Sequence, residues 1–301
     1  MRIRKELRLF NGIAFYILVS LLMAGCGGGE AELDSNVEAI DVDNTNPNVL
    51  ELGNTVFCIP SPVQTAILVK EVGASYNKEL MNSPDNHSSY STNFQKALNL
   101  GVYGADLGYS TIYEHPQDGM RYLKTVQGLA DDIGVASAFS PEMITRITNN
   151  IGDQDSLLNM VGNCYRSLNS FLQENDRDDV CALVLAGGWI ESTYFVTAIS
   201  GTFESQELIN RLAEQKTTLE NLIKIIEPFY NDPQFTELLD EMYDLSEDFD
   251  NVTLEYVYEK PDVDEENKTT IINSKSNVSI TPELISSIRA KIAALREQVI
   301  G

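Results

Sequence analysis

Val180-Cys181-Ala182-Leu183-Val184-Leu185-Ala186-Gly187-Gly188-Trp189-Ile190-Glu191-Ser192-Thr193-Tyr194-Phe195-Val196-Thr197-Ala198-Ile199-Ser200-Gly201-Thr202-Phe203 is apolar or small on nearly every side and holds one charge, Glu191. A helix that is apolar all round belongs in the middle of a bundle. Its length would let it cross a membrane, but Glu191, Ser192, Thr193 and the glycines make a central helix of a soluble domain the better reading. A second segment, Ala97 to Tyr113, has the same character, with Asp106 as its single charge.

The two segments share further features. Each acid is followed three residues on by a tyrosine, Asp106 by Tyr109 and Glu191 by Tyr194, a spacing that puts acid and phenol on one helical face. Both carry glycines, which cost about 1 kcal/mol each in a helix interior. Gly101, Gly104 and Gly108 lie along one side of the first, and Ala182, Ala186, Gly187 and Gly188 cluster in the second. Small residues let helix backbones approach closely. An internal duplication, two helical halves related by a rough twofold, accounts for all of these features.

Working outward, proline placement extends the helical reading. Ser61-Pro62, Ser140-Pro141, Asp232-Pro233 and Thr281-Pro282 each set a capping side chain before a proline at the first helical position, and His115-Pro116 does so with a weaker cap. Apolar spacing then predicts helices at 61–81, 92–114, 116–133, 140–151, 154–174, 179–201, 205–230, 233–247 and 281–299. On the last, Ile285, Ile288, Ile292, Leu295 and Val299 form one stripe. The fold class is therefore all-α, a multi-helix bundle of two pseudo-repeated halves. One interruption is expected at about 252–280, where the β-prone runs Thr253–Tyr258 and Thr269–Ile272 flank Pro261, Asp262, Asp264, Glu265 and Glu266. This reads as a hairpin-like arm whose acids are either solvated or hold a calcium ion.

The start of the chain reads as an address. Arg2, Arg4, Lys5 and Arg8 precede an apolar run from Ile13 to Ala24, and small residues lead into Met23-Ala24-Gly25-Cys26. That layout is a secretory signal, to be set aside from fold reasoning. The ending resembles the lipobox of bacterial lipoproteins, although Met23 stands where Leu is the commonest choice. The resemblance implies removal of 1–25 and lipid attachment at Cys26, with acyl chains of the palmitate class as the link to a membrane. Gly27 in place of Asp favours the outer membrane by the sorting rule of enteric bacteria. From 26 to about 54 the chain is rich in Gly, Asp, Glu and Asn and reads as a flexible acidic tether ahead of a helical domain at 55–301. Within it, Asp41–Asn46 lacks the turn glycine and closing Glu of an EF-hand calcium loop.

Ile59-Pro60-Ser61-Pro62-Val63-Gln64-Thr65-Ala66, followed by Lys96 to Leu107, resembles a family of uncharacterised helical lipoproteins of Bacteroidota. The resemblance implies an envelope location and a helical domain, and no activity. Gly187-Gly188-Trp189-Ile190-Glu191 holds a glycine and an acid of the Gly-x-His-x-x-Glu motif of imelysin-like proteins, but no histidine, and is one residue short.

Charge and motifs narrow the function. The net charge is −24, and with four bases and one acid before Cys26 the remainder stands at −27. Such a surface repels nucleic acid and anionic headgroups. The cysteines beyond Cys26 are Cys58, Cys164 and Cys181, all in apolar surroundings, and with only His87 and His115 as histidines no metal or cofactor site is expected. No nucleophile elbow or phosphate loop is present, so no catalytic residue is assigned. What remains is the buried polar set Asp106, Tyr109, Glu191 and Tyr194. Either each acid accepts hydrogen bonds from its neighbours and fixes helix register, or the two converge in a pocket for a cation or basic ligand. The corresponding functions are a binding or scaffolding domain on a membrane tether, and an envelope hydrolase or cation-dependent enzyme using Asp106 and Glu191.

Overall fold

The computed structural model describes residues 49–52, 55–58, 62–150, 154–200, 205–264, 269–271 and 274–301. Cys26, the signal-like segment, the loop 41–46 and Glu265 and Glu266 lie outside them. Among the described residues there are nine α-helices: α1 (Pro62–Glu71), α2 (Asn93–Ile112), α3 (Pro116–Asp132), α4 (Pro141–Asn149), α5 (Gln154–Glu174), α6 (Asp178–Ser200), α7 (Gln206–Ile226), α8 (Pro233–Asp250) and α9 (Pro282–Ile300). The protein is an all-α bundle, as the sequence predicts.

The helix starts follow from side chains at the caps. Ser140, Asp232 and Thr281 accept hydrogen bonds from the amides of Met143, Gln234 and Leu284, each with proline at the first helical turn. His115 makes no side-chain cap bond, in keeping with its weaker signal. Thr92 and Gln95 form a capping box at the start of α2, the threonine hydroxyl accepting from the Gln95 amide at 3.1 Å while the Gln95 side chain accepts from the Thr92 amide at 3.3 Å.

One helix is shorter than the sequence suggests. α1 was expected to reach residue 81, but it stops at Glu71, and Gly73 turns the chain with φ +89°. Residues 74–91 instead form a loop with 3-10 turns at Lys78–Leu80 and Pro84–Ser89. The apolar residues of this loop mimic helical spacing, but glycine in the left-handed region sets the break.

The interruption near 252–280 is a two-stranded antiparallel arm. β3 (Thr253–Val257) pairs with β6 (Lys275–Ser279), and further out β4 (Asp262–Asp264) pairs with β5 (Thr269–Ile271). Four residues (258–261) separate the ladders on one side and three (272–274) on the other, so the ribbon carries a bulge containing Pro261. Ser274 Oγ bridges the gap, donating to the Glu259 carbonyl and accepting from its amide, both at 3.1 Å. A second hairpin, β1 (Val49–Leu52) with β2 (Thr55–Cys58), was not expected, since the tether was read as running to Asn54. Leu50, Leu52, Val56 and Phe57 are the strand-forming residues that reading passed over.

α6 is the core helix. It packs against α1, α2, α5, α7 and α9, and α2 lies against α1, α3, α6 and α9. By length and composition α6 could cross a membrane, yet 94% of its apolar window is buried inside the protein.

Candidate functional site

The site begins with the contact between α2 and α6, which run side by side in the same direction. A Cβ built on Gly101 would lie 2.0 Å from the Val184 carbonyl oxygen, and one on Gly187 would lie 1.9 Å from the Leu98 carbonyl oxygen. Each glycine thus meets the carbonyl three residues before the other. Further along, the rings of Tyr109 and Phe195 meet at 4.7 Å between centroids. These reciprocal contacts define a local twofold relating residues 86 apart in sequence, as Gly101 is to Gly187 and Tyr109 to Phe195.

The sequence comparison of the halves was therefore out of step by one residue. It matched Asp106 to Glu191 and Tyr109 to Tyr194, whereas the contacts match Ala105 to Glu191 and Asp106 to Ser192. Nor do the three glycines of α2 serve one face. Gly101 meets α6, Gly108 meets the Val63 side chain of α1, and Gly104 faces an apolar pocket.

Asp106 and Glu191 do converge. Both have 0% exposure, and each carboxyl stands close enough to the other to shift its titration. They are closed from the third side by Arg296 of α9, itself 7% exposed. Arg296 Nε donates to Glu191 Oε2 at 2.5 Å and its Nη2 to Glu191 Oε1 at 2.7 Å, the bidentate arrangement that a planar guanidinium favours. The same Nη2 donates to the Leu80 carbonyl at 2.9 Å, and the guanidinium lies 4.2 Å over the Tyr194 ring.

Asp106 has a poorer set of partners. Its Oδ2 accepts from the Asn82 amide at 3.2 Å, and its Oδ1 receives no N–H or O–H from the described residues. Burial, then the neighbouring Glu191 charge, push its carboxyl well above the usual carboxylate range. Burial pushes Glu191 up as well, but Arg296 pulls it back. Of the two, Asp106 therefore holds its proton more readily, while Arg296 favours the charged form of Glu191. With Asp106 protonated, the three groups sum to zero charge: neutral Asp106, anionic Glu191, cationic Arg296.

A layer of amides and phenols surrounds this core. Asn82 Nδ2 donates to Tyr90 Oη at 2.8 Å and to Asn99 Oδ1 at 3.3 Å, and Asn99 Nδ2 donates to the Val299 carbonyl at 2.8 Å. Tyr103 and Tyr122 donate to the carbonyls of Ser83 and Asn82 at 2.7 and 3.1 Å. Burial, as the largest cause, raises the hydroxyls of Tyr90, Tyr103 and Tyr122, so all stay protonated donors. The network ties the loop 74–91 and the end of α9 to the α2–α6 pair.

The expected tyrosines play different parts. Tyr109 does not bond to Asp106; its hydroxyl accepts from the Asn77 amide at 3.1 Å, and its ring packs on Tyr76, Tyr113 and Phe195. Tyr194 reaches Glu191 only through Arg296. Sequence reasoning missed Arg296 and Asn82. The signal for Arg296 was present, since it is the one charge on the α9 stripe formed with Ile288, Ile292, Leu295 and Val299.

Arg296 occupies the place that a bound cation or basic ligand would need. None of the main pockets among the described residues includes Asp106 or Glu191 in its wall. Nor, among those residues, do three or more His, Cys, Asp or Glu side chains come together as metal ligands. Burial pushes the thiols of Cys164 and Cys181 up to about 12, far from a reactive thiolate at neutral pH. Comparison with protein-family models, curated proteins and solved structures returns no match.

Proposed function

We propose that this chain is a lipid-tethered protein of a bacterial envelope, with its helical unit acting as a binding or scaffolding domain at the membrane face. The observation that carries the reading is the order of Arg2, Arg4, Lys5 and Arg8, the apolar run 13–24, and Met23-Ala24-Gly25-Cys26. In this reading 1–25 is removed and Cys26 carries the acyl chains. Two or more chains give stable anchoring at about 0.8 kcal/mol per buried methylene. Gly27 directs the product to the outer membrane, and membership of a Bacteroidota family of helical lipoproteins is part of the same proposal. The acidic chain beyond Cys26 keeps the domain off anionic headgroups and away from nucleic acid.

The hydrolase reading of Asp106 and Glu191 has less support. Glycosidic acid pairs stand about 5–9.5 Å apart, with room for substrate or water between them. Here both carboxyls are completely buried, none of the main pockets among the described residues reaches them, and Arg296 pairs with Glu191 in a bidentate contact.

Cys26→Ser tests the tether. Expressed in a bacterial host, the wild type should partition into the detergent phase with an intact mass that begins at acylated Cys26, and the variant should stay unacylated at precursor size. A wild type that is unacylated or cut elsewhere, or a variant processed like the wild type, overturns the proposal.

A further inference from the structure

The local twofold has one conspicuous mismatch beside the α2–α6 contact. Gly104 on α2 is equivalent to Ile190 on α6, again 86 residues on. Ile190 is completely buried and fills its side of the helix pair. On the Gly104 side no side chain of the described residues fills the corresponding place, and a cavity of about 90 Å³ opens there, partly accessible to solvent. Its wall is apolar: Leu107 of α2, Ile144 and Ile147 of α4 and Leu168 of α5 close around Gly104. Among the described residues no charged side chain lines it, and Gln127 of α3 and the Cys164 thiol of α5 are its polar groups. The Gln127 amide makes no hydrogen bond with the described residues.

We infer that this cavity is a binding site for a small uncharged ligand with an apolar body of about ring size and one hydroxyl or carbonyl group that bonds Gln127. Size, lining and charge each bear on the ligand. The volume exceeds a water's share of liquid, about 30 Å³, and approaches the roughly 150 Å³ of engineered apolar cavities that take up benzene. An apolar lining gives a water few partners and an apolar group many. A carboxylate or phosphate on the ligand would meet no cation among the described wall residues, within a chain of net charge −24. Gln127 can give or accept one hydrogen bond and so orients the polar end. α4 contributes Ile144 and Ile147 to the wall, and Ile147 is the one buried residue of that helix. This site is separate from the buried acids and does not depend on the tether.

The test uses benzyl alcohol, with benzoate as the charged analogue of the same shape, on the domain from Cys26 onward joined to its native residues. Saturation-transfer NMR should show benzyl alcohol binding at least tenfold more tightly than benzoate at pH 7. Gly104→Ile, which restores the side chain present on the twofold mate, should abolish binding while leaving the circular dichroism spectrum unchanged. Gln127→Leu, at a half-buried position, should weaken benzyl alcohol several-fold and leave toluene binding intact. Equal binding of benzoate, no binding of benzyl alcohol or toluene by the wild type, or undiminished binding by a folded Gly104→Ile variant would overturn the assignment.

Discussion

Replacing Gly101 by alanine sets two effects of opposite sign against each other. Alanine is favoured over glycine within a helix by about 1 kcal/mol, so propensity alone makes the change stabilising. The added methyl, however, would sit 2.0 Å from the Val184 carbonyl oxygen and 2.6 Å from the Gly188 amide nitrogen, where ordinary contact begins near 3.4 Å. Both neighbours are backbone, so no rotamer change relieves the overlap, and α2 and α6 must part by roughly 1.4 Å, the shortfall between those distances. Overpacking in cores costs about 1–3 kcal/mol, and a rigid backbone obstacle puts this case at the upper end. The net loss should be about 2 kcal/mol, which lowers a urea midpoint by roughly 1 M at a slope near 2 kcal/mol per molar. Gly187→Ala should behave alike. The double variant should lose less than the sum, because the second methyl enters a gap that the first has opened. Urea titration followed by far-ultraviolet circular dichroism reads all three; an unchanged or raised midpoint for Gly101→Ala would refute the close approach and the twofold built on it.

Other consequences follow from the buried polar core. Glu191→Gln leaves Arg296 buried without a carboxylate and should cost about 3–5 kcal/mol, whereas Asp106→Asn replaces a neutral acid by a neutral amide and should cost less than about 1 kcal/mol in the same titration run at about pH 4. The pair also predicts a pH dependence. Because Asp106 holds its proton in the folded state and gives it up when unfolded, its contribution is harmless below about pH 4 and opposes folding as pH rises towards its folded pKa, by about 1.4 kcal/mol per pH unit. Stability of Asp106→Asn relative to wild type should therefore improve between pH 4 and 7, and a flat difference curve would contradict the assignment. At the start of α9, Thr281→Ala removes the cap on the Leu284 amide and should cost about 1 kcal/mol in the thermal or urea midpoint.

Much of the bundle could be read from residues alone, for identifiable reasons. Capping side chains before proline gave starts that hold at Ser140, Asp232 and Thr281, because cap chemistry is local. The all-apolar segments around Gly101 and Gly187 gave the two core helices for the same reason, since a helix without a polar face has nowhere else to go. What failed needed long-range information. The loop after Glu71 has helix-compatible residues; Gly73 ends the helix, and docking onto Asp106 and Arg296 helps set the path that follows. Arg296 is 105 residues from its partner Glu191, and no local pattern connects them. The one-residue error between the halves arose from matching acids, which are the exception, rather than glycines, whose contact sets the register.

The charge balance at the centre of the bundle turns most directly on the proton carried by Asp106. Carbon-13 NMR of the labelled side-chain carboxyls, with assignment by Asp106→Asn, measures it at neutral pH. A single aspartate that stays protonated at pH 7, disappears in Asp106→Asn and ionises on unfolding is the predicted result; it makes Asp106, Glu191 and Arg296 a self-neutralised support of the fold. An Asp106 already ionised at pH 7 in the folded protein would contradict it, because two buried carboxylates beside one guanidinium call for a further cation, and the centre of the bundle would then be a ligand site after all.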